Sequence, residues 1–207
     1  MAEQLALLPG RLAAHLELSL TALALAALLS VPLGVRVARR SGTSSVILAA
    51  VGAAQTIPSL ALLAIMVPAL ASLGLLLHVP LAALGLELRG IGVAPALVAL
   101  TLYGMLPILR NTVTGLAGVD PAVREAARGV GMTPRQQLWR VELPLALPVI
   151  VAGLRTSAVW IVGTATLSTP VGATSLGNFI FSGLQTRNAD AVLVGCVAAA
   201  LLALALD

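Results

Sequence analysis

Residues 124–144 read REAARGVGMTPRQQLWRVELP, a stretch that concentrates charges, two glycines and two prolines. The 207-residue chain as a whole is far more apolar, with 59% hydrophobic residues, only 10% charged residues and a mean hydropathy of +1.04. Soluble domains carry about a quarter charged residues, so a soluble fold of this size would lack a charged surface. The sequence therefore predicts an integral membrane protein in which this polar stretch connects two spans.

Five apolar runs are long enough to cross a bilayer as helices, which takes roughly 20 residues each. They predict an all-α, polytopic membrane protein with about five transmembrane helices, at residues 16–35, 46–67, 91–110, 145–168 and 191–206. The region 71–90 mixes Gly, His, Pro and charges and predicts a partly interfacial loop, with a short extra hydrophobic helix as the alternative. The last run is slightly short for a hydrocarbon core, which suggests a truncated chain or a small missing tail after Asp207.

The basic residues predict the orientation of these spans. All twelve are arginines, and they lie at the ends of apolar runs rather than in one patch, which favours topology control over nucleic-acid binding. One side of the membrane receives eight of them, at positions 36, 39, 40, 110, 124, 128, 135 and 140, and the other side receives those at 11, 89 and 187. The positive-inside rule then places the polar stretch in the cytoplasm and the N-terminus outside.

The first part of the polar segment has the signals of a short, capped helix. Asp120 suits the N-cap and Pro121 the first helical position, so a helix is expected over the sequence AVREAAR that follows. Gly129 and Gly131 then offer the left-handed backbone positions that end a helix.

The second part restarts as another helix. Thr133 and Gln136 have the spacing of a capping box, in which each residue bonds to the backbone of the other. The helix should carry the sequence RQQLWRVEL and stop near Pro144, where the chain enters the membrane. The pattern predicts a helix, a tight glycine turn and a second helix at the cytoplasmic face.

The same residues resemble the EAA loop of ATP-binding-cassette (ABC) importer permeases. The pattern is Glu125-Ala126-Ala127, three residues, Gly131, nine residues, an aliphatic residue (here a valine), one residue, and then Leu-Pro. The resemblance implies a type I ABC importer permease-like fold, with one transmembrane permease domain over residues 1–207 and a cytoplasmic coupling loop over residues 115–144. It assigns contact with a separate ATPase to Glu125, Ala126, Ala127, Gly131, Thr133, Leu143 and Pro144.

The partners implied by this resemblance are separate polypeptides. The chain has no lysine, so it cannot contain a glycine-rich phosphate loop that ends in Lys-Ser/Thr. A chain of this kind is not an enzyme and binds no cofactor, because ATP and magnesium belong to the partner ATPase subunits. An extracytoplasmic substrate-binding protein and a second permease subunit, identical or paralogous, complete the implied assembly in the lipid of the inner or plasma membrane, with no nucleic acid.

Longer stretches resemble one subfamily, the permeases of importers for osmoprotectants such as glycine betaine, choline and carnitine. They include QTIPSLALLAIMVP at 55–68, LYGMLPILRNTVTGL at 102–116 and the run from residue 141 to about 184. Two departures, at residues 71–90 and 172–177, lie on the predicted outer side of the membrane.

The substrate path is predicted from polar residues inside the spans. Aromatic cages bind quaternary ammonium ions, but the five aromatic residues of this chain are scattered, so specificity is expected to reside in the binding protein. Ser and Thr in membrane helices often bond their own backbone, and Arg155 must be paired, near water or at the cytoplasmic interface. The candidates are Gln55, Thr56, Ser59, Tyr103, Arg155, Thr156, Ser157, Trp160 and Thr164.

Three alternatives remain open. An ABC permease for amino acids such as methionine would share the loop and differ in substrate. A secondary carrier driven by an ion gradient predicts paired intramembrane carboxylates or repeated halves, and the sequence has neither. A membrane enzyme needs clustered polar chemistry, whereas His15 and His78 are isolated and lack the spacing of metal ligands.

Overall fold

The computed structural model describes residues 2–39, 44–82 and 91–207, and this part of the chain is helical, with no strand. The α-helices are α1 (Ala2–Ala38), α2 (Ser44–Thr56), α3 (Ser59–Ala82), α4 (Val93–Ala117), α5 (Pro121–Gly129), α6 (Pro134–Gln137), α7 (Leu143–Ala165), α8 (Gly177–Thr186) and α9 (Ala189–Leu206). A π turn, Leu138–Glu142, joins α6 to α7, and a 3₁₀ turn, Thr166–Val171, follows α7.

Five segments within the described residues are long and apolar enough to cross a membrane, as the sequence predicts. They are Gln4–Ala38, Ser59–Leu76, Val93–Ala117, Pro134–Val171 and Ala189–Leu206. The all-α, five-span prediction is confirmed, and the helical arrangement satisfies the backbone hydrogen bonds that a bilayer would otherwise leave unpaired.

The bundle is organised around α4, which packs against α1 and α7 and also contacts α2 and α3. The main core cluster forms where these helices meet, and Leu63, Leu100 and Ile161 are among its buried members. Small residues let the helices approach closely, as at Gly104, whose carbonyl oxygen accepts a hydrogen bond of 2.8 Å from the Ser157 hydroxyl on α7.

The predicted second span at residues 46–67 is wrong, because the helix breaks at Pro58. Proline has no backbone N–H and disfavours helical geometry in the preceding residue, and α2 therefore ends at Thr56 while α3 begins at Ser59. The apolar span lies further along the chain, at Ser59–Leu76. The interfacial loop predicted from residue 71 is also wrong in its first part, because α3 continues to Ala82; residues 83–90 lie outside the described residues.

The first and third spans are longer than predicted. α1 begins at Ala2 and runs for 37 residues, about 55 Å at 1.5 Å per residue. His15 is fully buried and its Nδ1 accepts the Leu176 N–H at 3.3 Å, while the Arg11 guanidinium lies 4.2 Å from the centre of the Phe179 ring. α4 continues beyond the predicted end at Arg110 to Ala117.

The second helix of the polar segment does not stop near Pro144, contrary to the prediction. α6, the π turn and α7 follow one another without a loop, and the Leu143 N–H bonds to the Leu138 carbonyl five residues earlier. A π turn is one residue wider than an α turn. It therefore makes room for the ring of Pro144, which in an α-helix would collide with the carbonyl four residues before it. The polar segment therefore runs directly into the fourth span.

A pair of glycine substitutions in α7 tests the close packing of α4 and α7. A Cβ atom added at Gly153 would lie 2.7 Å from the Asn111 Cβ and 2.9 Å from the Pro107 carbonyl oxygen, whereas nothing lies within 4 Å at Gly163. Alanine gains about 1 kcal/mol of helix propensity at either site. We expect Gly153→Ala to destabilise the purified protein by about 1–3 kcal/mol, measured by thermal unfolding, because overpacking outweighs that gain. Gly163→Ala should not lower the unfolding temperature, and equal temperatures would contradict the close packing.

Candidate functional site

The predicted start of the first helix in the polar segment is confirmed. The Asp120 carboxylate caps α5 by accepting the Ala122 N–H at 2.8 Å, and Pro121 occupies the first turn, where a missing N–H costs nothing. α5 thus forms from local signals on a nine-residue segment that is short for an isolated helix.

The turn after α5 depends on one of the two predicted glycines. Gly131 has a φ of +80°, its N–H bonds to the Arg128 carbonyl at 2.9 Å, and the Met132 N–H bonds to the Ala127 carbonyl at 3.1 Å. This pair of bonds is the Schellman motif, which needs a left-handed residue after the helix. Gly129 is the last residue of α5 and has no positive φ, so its predicted left-handed role is wrong.

The capping box that restarts the chain is also confirmed. The Thr133 N–H donates to the Gln136 side-chain oxygen at 2.8 Å, and the Gln136 N–H donates to the Thr133 hydroxyl at 3.3 Å. Local hydrogen bonds therefore stabilise the polar segment at the start of each of its two helices and at the turn between them. They give the segment a defined shape at the protein surface.

α5 is exposed to the outside except along the strip that contains Arg124 and Ala127. Glu125 and Ala126 are exposed, with Val123 and Val130 nearby on the same exposed segment. Ala127 is only 5% exposed and packs within the chain, so close approach by an outside partner depends on Ala126 rather than on both alanines.

Leu143 and Pro144 lie behind this surface, at the start of α7. Leu143 packs against a small core cluster that contains Leu116, Leu138 and Ile150. Pro144 is exposed and lines an apolar groove of about 680 Å³ between α1 and the segment that joins α6 to α7, together with Val31, Pro32, Val35, Arg36, Leu138, Trp139, Leu143, Leu147, Ile150 and Leu154. Both residues therefore link the loop to the spans.

A buried carboxylate, missed in the sequence, lies at the junction of the loop and the spans. The Glu142 side chain is 10% exposed and accepts a hydrogen bond of 2.8 Å from the Gln137 amide. Its carboxylate oxygens lie 3.6 Å from Arg39 at the end of α1 and 3.6 Å from Arg124 on α5. In the EAA pattern this position is the unspecified residue before Leu-Pro. The sequence does carry a signal for it, namely an acidic residue at the start of an apolar run. Such a carboxylate, if buried, requires charged or hydrogen-bonding partners, and the arginines of the chain could have supplied them.

The predicted path residues fall into two groups, and the first lies where α2 breaks from α3. The Gln55 amide donates to the Tyr103 carbonyl at 2.9 Å, and the Tyr103 hydroxyl donates to the Ile57 carbonyl. Thr56 bonds its own helix at Ala53, and Ser59 is half-buried at the start of α3. A recess of about 630 Å³ opens beside them, lined by Leu48, Ala49, Gly52, Gln55, Thr56, Leu106 and Arg110.

The second group lies on α7 and faces α9. Thr156 and Trp160 line a recess of about 240 Å³ with Val159, Ala203, Leu204 and Asp207. Arg155 is exposed, and its guanidinium lies 3.6 Å from the Asp207 carboxylate. Ser157 instead faces α4, and Thr164 is half-buried. The structure therefore does not bring all the predicted path residues together within this chain.

Metal binding has no support among the described residues, which contain no group of three or more His, Cys, Asp or Glu side chains placed to hold an ion. His15 is buried in the bundle and accepts the Leu176 N–H just before α8. Phe179 on α8 is also buried, and its ring contacts Arg11.

Known proteins resemble the chain over most of its length. Residues 30–207 match the family described as binding-protein-dependent transport system inner membrane component. The chain is 42% identical to the choline transport system permease protein OpuBB of Bacillus subtilis, over 93% of this chain and 80% of that protein. It is 39% identical to the osmoprotectant import permease protein OsmW of Salmonella typhimurium, over 93% of this chain and 83% of that protein.

Solved structures share the fold. Inward-facing conformations of the MetNI methionine ABC transporter match with a TM-score of 0.83 and 23% identity, covering 100% of this chain and 94% of that chain. An amino acid ABC transporter crystallised with histidines matches with a TM-score of 0.65 and 19% identity, covering 99% and 94%. The predicted importer permease-like fold is confirmed, and at these identities the likeness concerns the fold alone.

The two glycines of the turn offer a matched test of its geometry. Gly131→Ala forces a side chain into the left-handed region and should destabilise the turn by about 1–2 kcal/mol, although space is free around it. Gly129→Ala adds a methyl group to a helical residue with equal space and should be neutral or stabilising. Hydrogen exchange of the Met132 amide should accelerate only in Gly131→Ala. Equal exchange in both variants would contradict the Schellman turn.

Proposed function

Because the chain belongs to the family of binding-protein-dependent transport system inner membrane components, we propose that it is the permease subunit of an ABC importer for osmoprotectants. Its substrate would be a small quaternary amine of the glycine betaine, choline or carnitine type. The observation that carries the proposal is the EAA-spaced segment, which forms a rigid, capped helix that is exposed next to the fourth span.

The proposed partner at this helix is an ABC ATPase subunit on the cytoplasmic side. A chain without lysine cannot supply the phosphate loop, so ATP and magnesium would bind to the partner and no enzyme activity resides here. Glu125 and Ala126 of the capped helix are exposed and could contact the ATPase. Because the caps hold the helix together, closure of the ATPase would displace α5 as a unit.

The proposed orientation and assembly follow from charge and size. The excess of arginines on the side of the coupling segment supports a cytoplasmic loop and an outside N-terminus in the inner or plasma membrane. The two groups of path residues line separate recesses, which supports a path that is completed by a second permease subunit.

The substrate class is proposed from the relatives. They align with 93% of this chain, and their names refer to choline and to osmoprotectants. The methionine alternative rests on fold likeness at 23% identity, which carries no substrate information. Few aromatic residues are present to bind a quaternary amine tightly, so we place selectivity in an extracytoplasmic binding protein that delivers the solute.

Transport into proteoliposomes tests the function. We expect vesicles that carry this permease, its ATPase and its binding protein to take up labelled choline or glycine betaine only when ATP is supplied to the ATPase side. Excess unlabelled methionine should leave this uptake unchanged. Import of methionine itself would favour the amino-acid alternative, and uptake driven by an ion gradient without ATP would favour a secondary carrier.

A substitution at the exposed alanine of α5 tests the docking surface. Ala126→Trp places a large ring where close approach is required, and we expect the ATPase to bind the purified permease at least 10-fold more weakly. Ala126→Ser at the same exposed site keeps the side chain small and should bind normally. Thermal unfolding checks that both variants fold, and equal ATPase binding by folded Ala126→Trp would place the docking surface elsewhere.

A further inference from the structure

We propose that Glu142 is the positioning residue that transmits movement of the coupling loop to the spans, through ion pairs with Arg39 and Arg124. This inference rests on the proposed function, since it needs an ATPase that moves α5. We call these three residues the charged latch. None of them is among the residues that the EAA pattern assigns to coupling.

The latch connects three separate segments at one carboxylate. Arg39 follows α1, Arg124 lies on α5, and Glu142 is the last residue before α7. The Arg39 terminal nitrogen and the Arg124 Nε each lie 3.6 Å from a Glu142 oxygen. The Arg124 Nε is buried and has no hydrogen-bond partner, so its charge faces the Glu142 carboxylate.

Each arginine has a second anchor, which makes it a bridge rather than a simple counterion. The Arg39 guanidinium also donates to the Pro134 carbonyl at 2.9 Å, which joins the end of α1 to the start of α6. The Arg124 guanidinium also donates to the Leu116 carbonyl, which joins α5 to the end of α4. A displacement of α5 therefore acts on α4 through a hydrogen bond, and on α7 and α1 through the two ion pairs at Glu142.

The π turn aligns the latch. In an α-helix, residues three or four apart share a face, whereas the wider π turn brings residues five apart together. Gln137 and Glu142 are five apart, and their side chains bond at 2.8 Å across the turn Leu138–Glu142. Gln137 thereby fixes the direction of the carboxylate, so that its two oxygens address the two arginines.

Stability alone does not require this arrangement. Well-packed apolar residues often replace buried ion pairs without loss of stability, because desolvation offsets much of the attraction. What these polar groups add is geometry, since hydrogen bonds of defined direction hold the carboxylate through Gln137 and each guanidinium through a backbone carbonyl. A charged latch at the junction is thus suited to fix how α5 is held against the spans.

Glu142→Gln is the direct test, because glutamine keeps the size and an oxygen acceptor but removes the charge. The permease variant would be reconstituted with its ATPase and binding protein, and ATP hydrolysis and choline uptake would be measured on the same vesicles. We expect the ATP hydrolysed per choline imported to rise at least five-fold. Misfolding would lower both activities in parallel and leave this ratio unchanged.

Glu17→Gln is the matched control. Glu17 is an exposed glutamate on α1, about 33 Å along the helix from Arg39, and its substitution should leave the ratio at the wild-type value. Arg124→Gln should raise the ratio as Glu142→Gln does. Because the two substitutions break the same pair, the double variant should be little worse than either single variant.

The outcomes separate the two proposals. If the wild type imports choline with ATP and the ratio is unchanged in Glu142→Gln, the latch is overturned while the importer stands. Parallel loss of both activities, or full additivity of the two substitutions, would also overturn it by making these residues independent supports of the fold. Absence of ATP-driven uptake in the wild type would refute the proposed function, and the latch with it.

Discussion

The backbone of a membrane protein has no water to bond in the hydrocarbon region, so every peptide group must find a partner within the protein. This constraint explains why the described chain is almost entirely helical. It also explains what happens where the helices are interrupted. At the break between α2 and α3, the freed Ile57 carbonyl accepts the Tyr103 hydroxyl, and Gln55 reaches across to the Tyr103 carbonyl. Residues predicted to line a substrate path therefore hold a broken helix against α4.

Three prolines affect their helices in different ways, and the difference depends on residues that are distant in the sequence. Pro58 ends α2, Pro107 lies inside α4, and Pro144 lies in the first turn of α7 after a π turn. Each proline removes a backbone N–H, and the outcome depends on which neighbouring groups bond to the carbonyl that loses its partner. For this reason the number of spans and the helical class were predictable, whereas the second span, the end of the loop helix and the length of α1 were not.

Most of the polar segment, apart from the role of Gly129 and the end of its second helix, was predictable because its signals act over few residues. A cap, a proline at the first turn, a left-handed glycine and a capping box each involve residues at most five apart, and the structure has them at Asp120, Pro121, Gly131 and Thr133. Glu142 was not predictable in this way. Its charged partners lie 18 and 103 residues earlier in the chain, and its position shows only after α1, α5 and α7 have packed.

Rigidity of the segment and burial of Glu142 have a common consequence for transmission. In the proposed mechanism, a capped and exposed helix would follow the ATPase as a unit, but it would move a span only if a contact of fixed geometry joined the two. Apolar contacts are non-directional, so they oppose separation of two helices more than a sideways shift. An ion pair whose cations are each held by a further hydrogen bond opposes both movements. The small cluster of Leu116, Leu138, Ala146 and Ile150 supplies the first kind of contact beneath the loop. The carboxylate between Arg39 and Arg124 supplies the second, so the junction combines apolar packing with a charged contact of fixed geometry, as the proposed transmission would require.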